Sequence, residues 1–363
     1  MIRLRELARP FLKVGLFGFG GGAGMLAILR AECVKKKKLI SDDELATAVA
    51  IGQMLPGPFV PNYCEYIGYC LRGIRGAVVA GVSLLLPSFI LMLILSYLYL
   101  AFHTLPAINQ IFKGIGTVMT AIILWASLDM GKVLIKDFKG ILVLGFALVL
   151  FLIKFDPVLT VLLAGGLNIA LQHLKTPKLF FAVGIFLFDI KKIAELFWIF
   201  FKIGAVIFGG GYAAIPFIQN EVCFYRNWLT DKEFLDGFAL GQITPGPVAI
   251  TATFVGFKVQ GIIGAVVSTV GIFLPSFLML LILVRIYKRI EHNQYVKSFF
   301  DGIKSAVVAI LLSTGIFFIP INWSYLPYAI FGILCLLILI FLPKKIDPIF
   351  LIIAGVGFSF IFH

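Results

Sequence analysis

A Pro-Gly-Pro turn set inside an apolar stretch breaks helical hydrogen bonding, and this chain carries two: Pro56-Gly57-Pro58 in IGQMLPGP and Pro245-Gly246-Pro247 in LGQITPGP. Each proline lacks an amide donor, and the first disfavours helical geometry in the residue before it. A helix that restarts after Pro58 or Pro247 offers unpaired N–H groups and the positive end of its dipole, an arrangement that suits anions. Side-chain donors stand nearby in the sequence: Gln53 and Gln242 before the turns, Thr244 and Thr251 flanking the second, and Ser88 and Ser276 in two later LPSF runs. Upstream of each turn, glycine triplets (Gly20-Gly21-Gly22 and Gly209-Gly210-Gly211) interrupt another apolar stretch, with Lys13 and Lys202 as candidate charges. A desolvated oxyanion needs many donors and some positive charge, and these residues are the expected substrate-binding set.

Each assignment has a plainer rival. Glycine triplets also serve as close-packing surfaces, and a lysine in the first turns of a membrane segment snorkels to the headgroups. Glu65, in an otherwise uncharged stretch, is the main candidate for proton coupling, although Phe254 or its neighbour replaces it in the second copy. Glu32 and Glu221 are further coupling candidates, with simple interfacial ion pairing as the alternative for them and for Arg30. Asp129 and Asp301 read as span-end residues. The chain has no HExxH, GxSxG, GxGD or P-loop motif, and His103, His173, His292 and His363 lack metal-ligand spacing. No enzyme, no metal and no cofactor is expected, and pumping must draw on an ion gradient. Five cysteines without a CxxC read as reduced, packed residues.

The paired motifs belong to a long internal duplication. Lys13-Val14-Gly15 aligns with Lys202-Ile203-Gly204, and eight of seventeen positions are identical between Asp42–Pro58 and Asp231–Pro247, at an offset of 189 (204 − 15). After the turns the offset becomes 188 (261 − 73), matching Gly73–Val79 to Gly261–Val267 and Leu86–Phe89 to Leu274–Phe277. The expected units are an N-terminal repeat (1–176), a connector (177–190) and a C-terminal repeat (191–363).

Composition sets the surroundings. With 61% hydrophobic and 13% charged residues, and a mean hydropathy of +1.05, much of the exterior must face hydrocarbon. The chain reads as an all-α polytopic membrane protein in the cytoplasmic membrane, in contact with lipid. Barrel strands are excluded because apolar runs such as Ala77–Phe102 and Val259–Val284 do not alternate. The net charge of +13 sits at span ends rather than in a domain of its own, so no nucleic-acid partner is expected. The Arg3–Arg9 stretch interrupts the first apolar segment, and no cleaved signal peptide is read.

Each half divides into six segments, 3–33, 42–71, 73–102, 106–135, 139–153 and 156–174, then 191–224, 231–260, 262–290, 295–318, 325–342 and 346–362. Basic residues alternate between equivalent loops. The loop after the third segment holds only His103 in the first half but Arg285, Lys288 and Arg289 in the second, and after the fourth segment the bias reverses. The positive-inside rule therefore gives the halves inverted topology. The first two segments of each half, broken at FGGG or IFGGG and at PGP, are expected to be discontinuous or re-entrant helices whose tips meet near the midplane. Inversion needs an odd number of crossings between equivalent points, and the stretch Leu179–Ile190 is short for a full crossing.

Two copies of an amphipathic segment ending in FGGG or IFGGG, a GQ-x-x-PGP turn and an LPSF segment make the chain resemble the chromate ion transporter (CHR) family of two-domain type. The resemblance spans essentially the whole chain. It implies secondary transport of chromate out of the cytoplasm, with sulfate as a structural analogue, through oppositely oriented halves whose FGGG and PGP segments are most tied to transport. The expected mechanism is alternating access, coupled to protons or to a second anion, and a homodimer is an open option. A channel for small anions shares the broken helices, and a carrier for organic anions suits the Phe-rich walls; both readings stay open.

Overall fold

The computed structural model describes residues 3–18, 21–103, 105–135, 137–153, 155–172, 192–208, 211–290, 294–342 and 348–362. The 177–190 connector, Gly20, Gly209 and Gly210 lie outside these residues, as do the side chains of Arg285, Lys288 and Arg289. Among the described residues every regular element is helical.

The first half contains α1 (Leu4–Phe17), α2 (Gly21–Leu29) running into a π-helical turn (Arg30–Lys36), α3 (Asp42–Met54), α4 (Phe59–Phe102), α5 (Pro106–Leu134), α6 (Phe138–Leu152) and α7 (Pro157–Gln172). The second half repeats the order with α8 (Lys192–Val206), α9 (Ala214–Gln219) and its π-helical turn (Asn220–Tyr225), α10 (Asp231–Ile243), α11 (Thr251–Ile290), α12 (Gln294–Asn322), α13 (Leu326–Phe341) and α14 (Pro348–Ile361). Both helix breaks expected from FGGG and PGP are present in each half.

These breaks are hairpin tips. Around the first glycine triplet the chain doubles back, so that Lys13 Nζ reaches Glu32 at 3.2 Å and Lys37 Nζ donates to the Glu6 carbonyl at 3.3 Å. In the second half Lys202 pairs with Glu221 at 3.3 Å, and Arg226 pairs with Glu195 at 2.7 Å. A second hairpin turns at PGP. Its descending arm starts with a capping box, Ser41 with Glu44 in α3 and Thr230 with Glu233 in α10, which satisfies the first orphan amides. The arms touch along their length: an added Cβ would fall 2.3 Å from the Tyr63 ring at Gly52 and 2.1 Å from the Phe254 ring at Gly237. Lys258 pairs with Glu233 across the foot of the second-half hairpin. The two hairpins of each half are tied at their feet, by Arg30 to Asp42 at 2.7 Å and by Gln219 to Asp231 at 2.8 Å. The Arg30 hydrogen bond holds the exposed Asp42 carboxyl below the usual range.

α4 and α11 each contain a third reversal. A straight 44-residue helix would run ~66 Å at ~1.5 Å per residue, yet an added Cβ at Gly68 would lie 2.3 Å from the Gly76 carbonyl oxygen. The turn is made by Arg72 and Gly73, the latter at φ 60°, and by Gln260 and Gly261 in α11. Residues 59–71 therefore return along 74–102, as the segment boundaries at 71/73 and 260/262 anticipated.

The remaining helices interlock the halves. α5 and α12 run antiparallel at the centre: Thr117 Oγ1 donates to the Asn322 carbonyl at 3.3 Å, while Gly315 meets Leu124 and Gly131 meets Val308. α14 then packs on α5, with Gly114 against the Gly355 carbonyl, and α7 packs on α12, with Gly302 against the Ala164 carbonyl. α4 also opposes its counterpart. Tyr99 near the end of α4 meets Phe254 at the start of α11 with ring centroids 5.3 Å apart, and Leu280 and Leu283 cluster with Tyr66.

Among the described residues, four helical stretches have the length and apolarity to cross a bilayer, in α4, α5, α11 and α12, while α6, α7, α13 and α14 are shorter apolar helices. Val78, Val82, Leu86, Ile90 and Ile94 recur every four residues along α4 and stay 44–55% exposed, an apolar stripe suited to lipid. The chain is a multi-pass membrane protein.

Candidate functional site

The PGP turn of each half is seated in the broken helix of the other half. Gly57 N–H donates to the Ile207 carbonyl at 2.6 Å, and Gly246 N–H donates to the Gly18 carbonyl at 3.1 Å. Ile207 and Gly18 are the residues at which the first helix of each half gives way to its glycine triplet. Both turn glycines have positive φ, 93° at Gly57 and 117° at Gly246, a region that L side chains avoid. They are also pressed against the LPSF serine of the opposite half: an added Cβ would sit 2.8 Å from Ser276 Cβ at Gly57 and 2.1 Å from Ser88 Oγ at Gly246. The duplicated GQ-x-x-PGP, glycine and LPSF motifs thus converge on one crossover, and Pro56, Pro58, Pro245 and Pro247 frame it.

Several expected donors are already committed. Ser88 Oγ donates to the Pro245 carbonyl at 2.6 Å and Ser276 Oγ to the Phe273 carbonyl at 2.9 Å. Thr244 Oγ1 donates to the Leu240 carbonyl at 2.8 Å, and Thr251 Oγ1 to the Val248 carbonyl at 2.9 Å. Ser88 ties α4 to the turn of the other half, and the other three hydroxyls bond within their own segments. Lys13 and Lys202 are likewise engaged, by Glu32 and Glu221, with Lys36 also on Glu32 at 2.8 Å and Arg226 also on Glu221. The lysine–glutamate pairs clasp the first hairpin of each half, so positive potential at the turns comes from the helix starts. Both glutamates lie in π-helical turns.

One expected donor remains unspent. Gln242 Nε2 is buried with no protein partner, while its Oε1 accepts from Tyr212 Oη at 3.3 Å. An amide donor left so in a packed interior is costly unless something else accepts from it. Beside it the helix restarts after Pro247, and an added Cβ on Gly211 would lie 3.2 Å from the Val248 nitrogen and 3.3 Å from the Ala249 nitrogen. The same Cβ would fall 2.8 Å from Val248 Cβ, so Gly211 lets its backbone pack close against this helix start. The first-half turn is less generous: its restart carries Pro61, which has no amide donor, Asn62 Nδ2 is spent on the Gly52 and Pro56 carbonyls at 3.3 Å each, and Gln53 is exposed. Gly21 and Gly22 begin α2.

Glu65 is 3% exposed, and its Oε2 has no partner among the described residues. It lies against Gly81, where an added Cβ would be 2.8 Å from Oε1. The carboxyl borders an apolar cavity of about 500 Å³ that is open along the exposed α4 stripe rather than enclosed. Matched residues of the two halves line this cavity, Val78, Val82 and Leu86 from α4 and Val266, Val270 and Leu274 from α11. In the second half the Glu65–Gly81 contact becomes a Thr253–Thr269 hydrogen bond of 2.7 Å, so the neighbour of Phe254 is the counterpart.

Sequence reading passed over Tyr212, which follows the second glycine triplet where Ala23 follows the first. It also passed over Asp236, whose aligned position in the first half is Thr47 (236 − 189). A position-by-position comparison of the halves for lost symmetry in polar groups would have flagged both.

A family model described as chromate transporter matches residues 5–169 and 194–360. An uncharacterized transporter of Methanocaldococcus jannaschii is 31% identical over 97% of this chain and 92% of its own length. A chromate transport protein of Pseudomonas aeruginosa is 34% identical over 86% of this chain and 80% of its own length. One from Cupriavidus metallidurans is 29% identical over 97% and 91%. No solved structure matches the chain.

Proposed function

Since this chain belongs to the chromate transporter family, we propose that it is a secondary transporter moving chromate, or a sulfate-like oxyanion, out of the cytoplasm across the inner membrane. The observation that carries the reading is the crossover itself. Two duplicated turns, each seated in the opposite half, leave a buried amide donor at Gln242 in the same turn as the helix start that follows Pro247. Such a cradle of neutral donors and a helix start suits a tetrahedral dianion with four acceptor oxygens. Gly211, Tyr212, Gln242 and Gly246 form the nearer wall in this reading, and Gly57 and Gln53 the other.

The halves are read as inverted repeats. Antiparallel α5 and α12, the opposed α4 and α11 and the alternating loop charge all support a two-fold axis in the membrane plane. The PGP and glycine-triplet hairpins then dip in from opposite faces as re-entrant pairs. Alternating access follows from rocking one half about the crossover, which keeps the anion at the turns while the side it faces changes. Glu65, buried without a counter-charge at the matched cavity, is the coupling carboxyl in this scheme.

The test is chromate uptake by inside-out vesicles, compared with sulfate and with organic anions, with and without a proton gradient. Saturable chromate uptake that sulfate inhibits is the expected result. Flux that follows voltage alone, and that Glu65→Gln leaves unchanged, would mark a channel instead.

A further inference from the structure

A second buried carboxyl joins the two halves away from the crossover. Asp236 on α10 is 4% exposed and accepts a 2.7 Å hydrogen bond from Tyr99 Oη on α4. Tyr99 is itself 5% exposed, wedged edge-on between Phe112 and Phe254. On its other side the Tyr99 ring stacks on His103 with centroids 5.2 Å apart, and His103 Nδ1 lies 3.2 Å from the Tyr99 carbonyl. A carbonyl only accepts, so that nitrogen carries hydrogen and Nε2 is left as the ring's other proton site. His103 is half-buried. A partly accessible imidazole therefore stacks on the phenol that donates to a sealed carboxyl.

The surroundings make Asp236 the unpaired member of its cluster. On its own helix, Lys232 is exposed and donates to Asn109 of α5 at 2.6 Å, and Glu233 is bound to Lys258 of α11. From α4 the facing groups are Tyr99 and His103, and from α5 the contact is apolar, through Phe112. Asp236 has no cation of its own. Nor does internal symmetry require it, since the matching Thr47 is exposed and bonds to its own helix at the Asp43 carbonyl.

Its depth matters as well. Asp236 precedes Pro245 by nine residues (245 − 236) and Glu65 follows Pro58 by seven (65 − 58), ~13 and ~10 Å from their turns at ~1.5 Å per residue. Because the two hairpins enter from opposite faces in the reading above, the two carboxyls flank the crossover on opposite sides. Resting on that reading, we propose that Asp236, gated by Tyr99, is the outward-side proton site of the transport cycle, the partner of Glu65 on the cytoplasmic side. A proton from the outer solution adds to the Asp236 carboxylate, cancelling its charge and weakening the charge-assisted hydrogen bond it accepts from Tyr99. The latch between α4 and α10 is thereby loosened, the halves rock, and one proton leaves at the cytoplasmic side for each that entered.

The experiment uses the full-length protein in proteoliposomes with two readouts: chromate counterflow, which needs no net proton movement, and chromate accumulation under an imposed pH gradient. A one-unit gradient coupled to one proton gives about tenfold accumulation. Wild type is expected to reach it. Asp236→Asn keeps an acceptor for Tyr99 but cannot titrate, so accumulation falls to the equilibrium ratio while counterflow persists. Tyr99→Phe retains accumulation with a displaced pH midpoint. Should Asp236→Asn fail to insert, Asp236→Glu decides, since a restored carboxyl must restore accumulation. Accumulation retained by Asp236→Asn, an uncoupled wild type, or an inserted Asp236→Glu that cannot accumulate would each overturn the proposal. Absence of wild-type counterflow would instead overturn the transport reading beneath it.

Discussion

At the residue scale, the crossover depends on two glycines that admit no side chain and one amide that has no partner. Gly246→Leu would place its side chain into Ser88 at a φ of 117°, and it is expected to abolish chromate flux while the protein still inserts; normal flux would make the turn a mere connector. Ser88→Gly should partly rescue Gly246→Ala, because it removes the atom 2.1 Å away and leaves only the backbone strain. Gln242→Ala removes a donor to a charged ligand, an interaction worth about 1.5–3 kcal/mol. The KM for chromate should therefore rise roughly ten- to hundredfold, with little change in melting temperature. Lys202 is expected to behave differently. Its pair with Glu221 leaves the lysine side chain 40% exposed, and exposed pairs contribute about 0–1 kcal/mol. Lys202→Met should leave chromate affinity within about twofold; a drop beyond tenfold would return the lysine to the anion.

At the element scale, the hairpins explain motifs that would otherwise look redundant. Gly68 with Gly76, and Gly256 with Gly264, bring opposing backbones so close that an added Cβ falls 2.0–2.3 Å from a carbonyl oxygen. Gly256→Val should cost more than the about 1–3 kcal/mol of ordinary overpacking, because backbone cannot repack as side chains do. Lower yield of folded protein and an earlier thermal transition would report it. Most of this layout was legible in the sequence. Proline–glycine turns and glycine triplets have local backbone consequences, and the breaks at 71/73 and 260/262 follow from Gly73 and Gly261. What sequence could not supply was partnership across the halves. Ser88 and Ser276 looked like ligand donors because their hydroxyls were counted without the carbonyls that occupy them. Lys13 looked available because Glu32, nineteen residues away, becomes its neighbour only once the hairpin closes.

At the scale of the whole molecule, the proposed inversion is what would set direction and coupling. Cys70 is exposed near the foot of its hairpin, and Lys258 is its repeat counterpart (258 − 70 = 188). In a background retaining only one cysteine, native Cys70 should react with an impermeant maleimide from the cytoplasmic face, and Lys258→Cys from the opposite face. Labelling of both from one side would refute the inverted arrangement.

The exchange of end helices, α7 onto α12 and α14 onto α5, has a consequence for biogenesis. A nascent chain that has released only its first repeat has nowhere to lodge α7, and the surface of α5 that will receive Gly355 stays bare until α14 leaves the ribosome. Maturation therefore waits for the synthesis of α14. Two fragments produced as separate polypeptides in one cell should each be degraded alone, yet persist together.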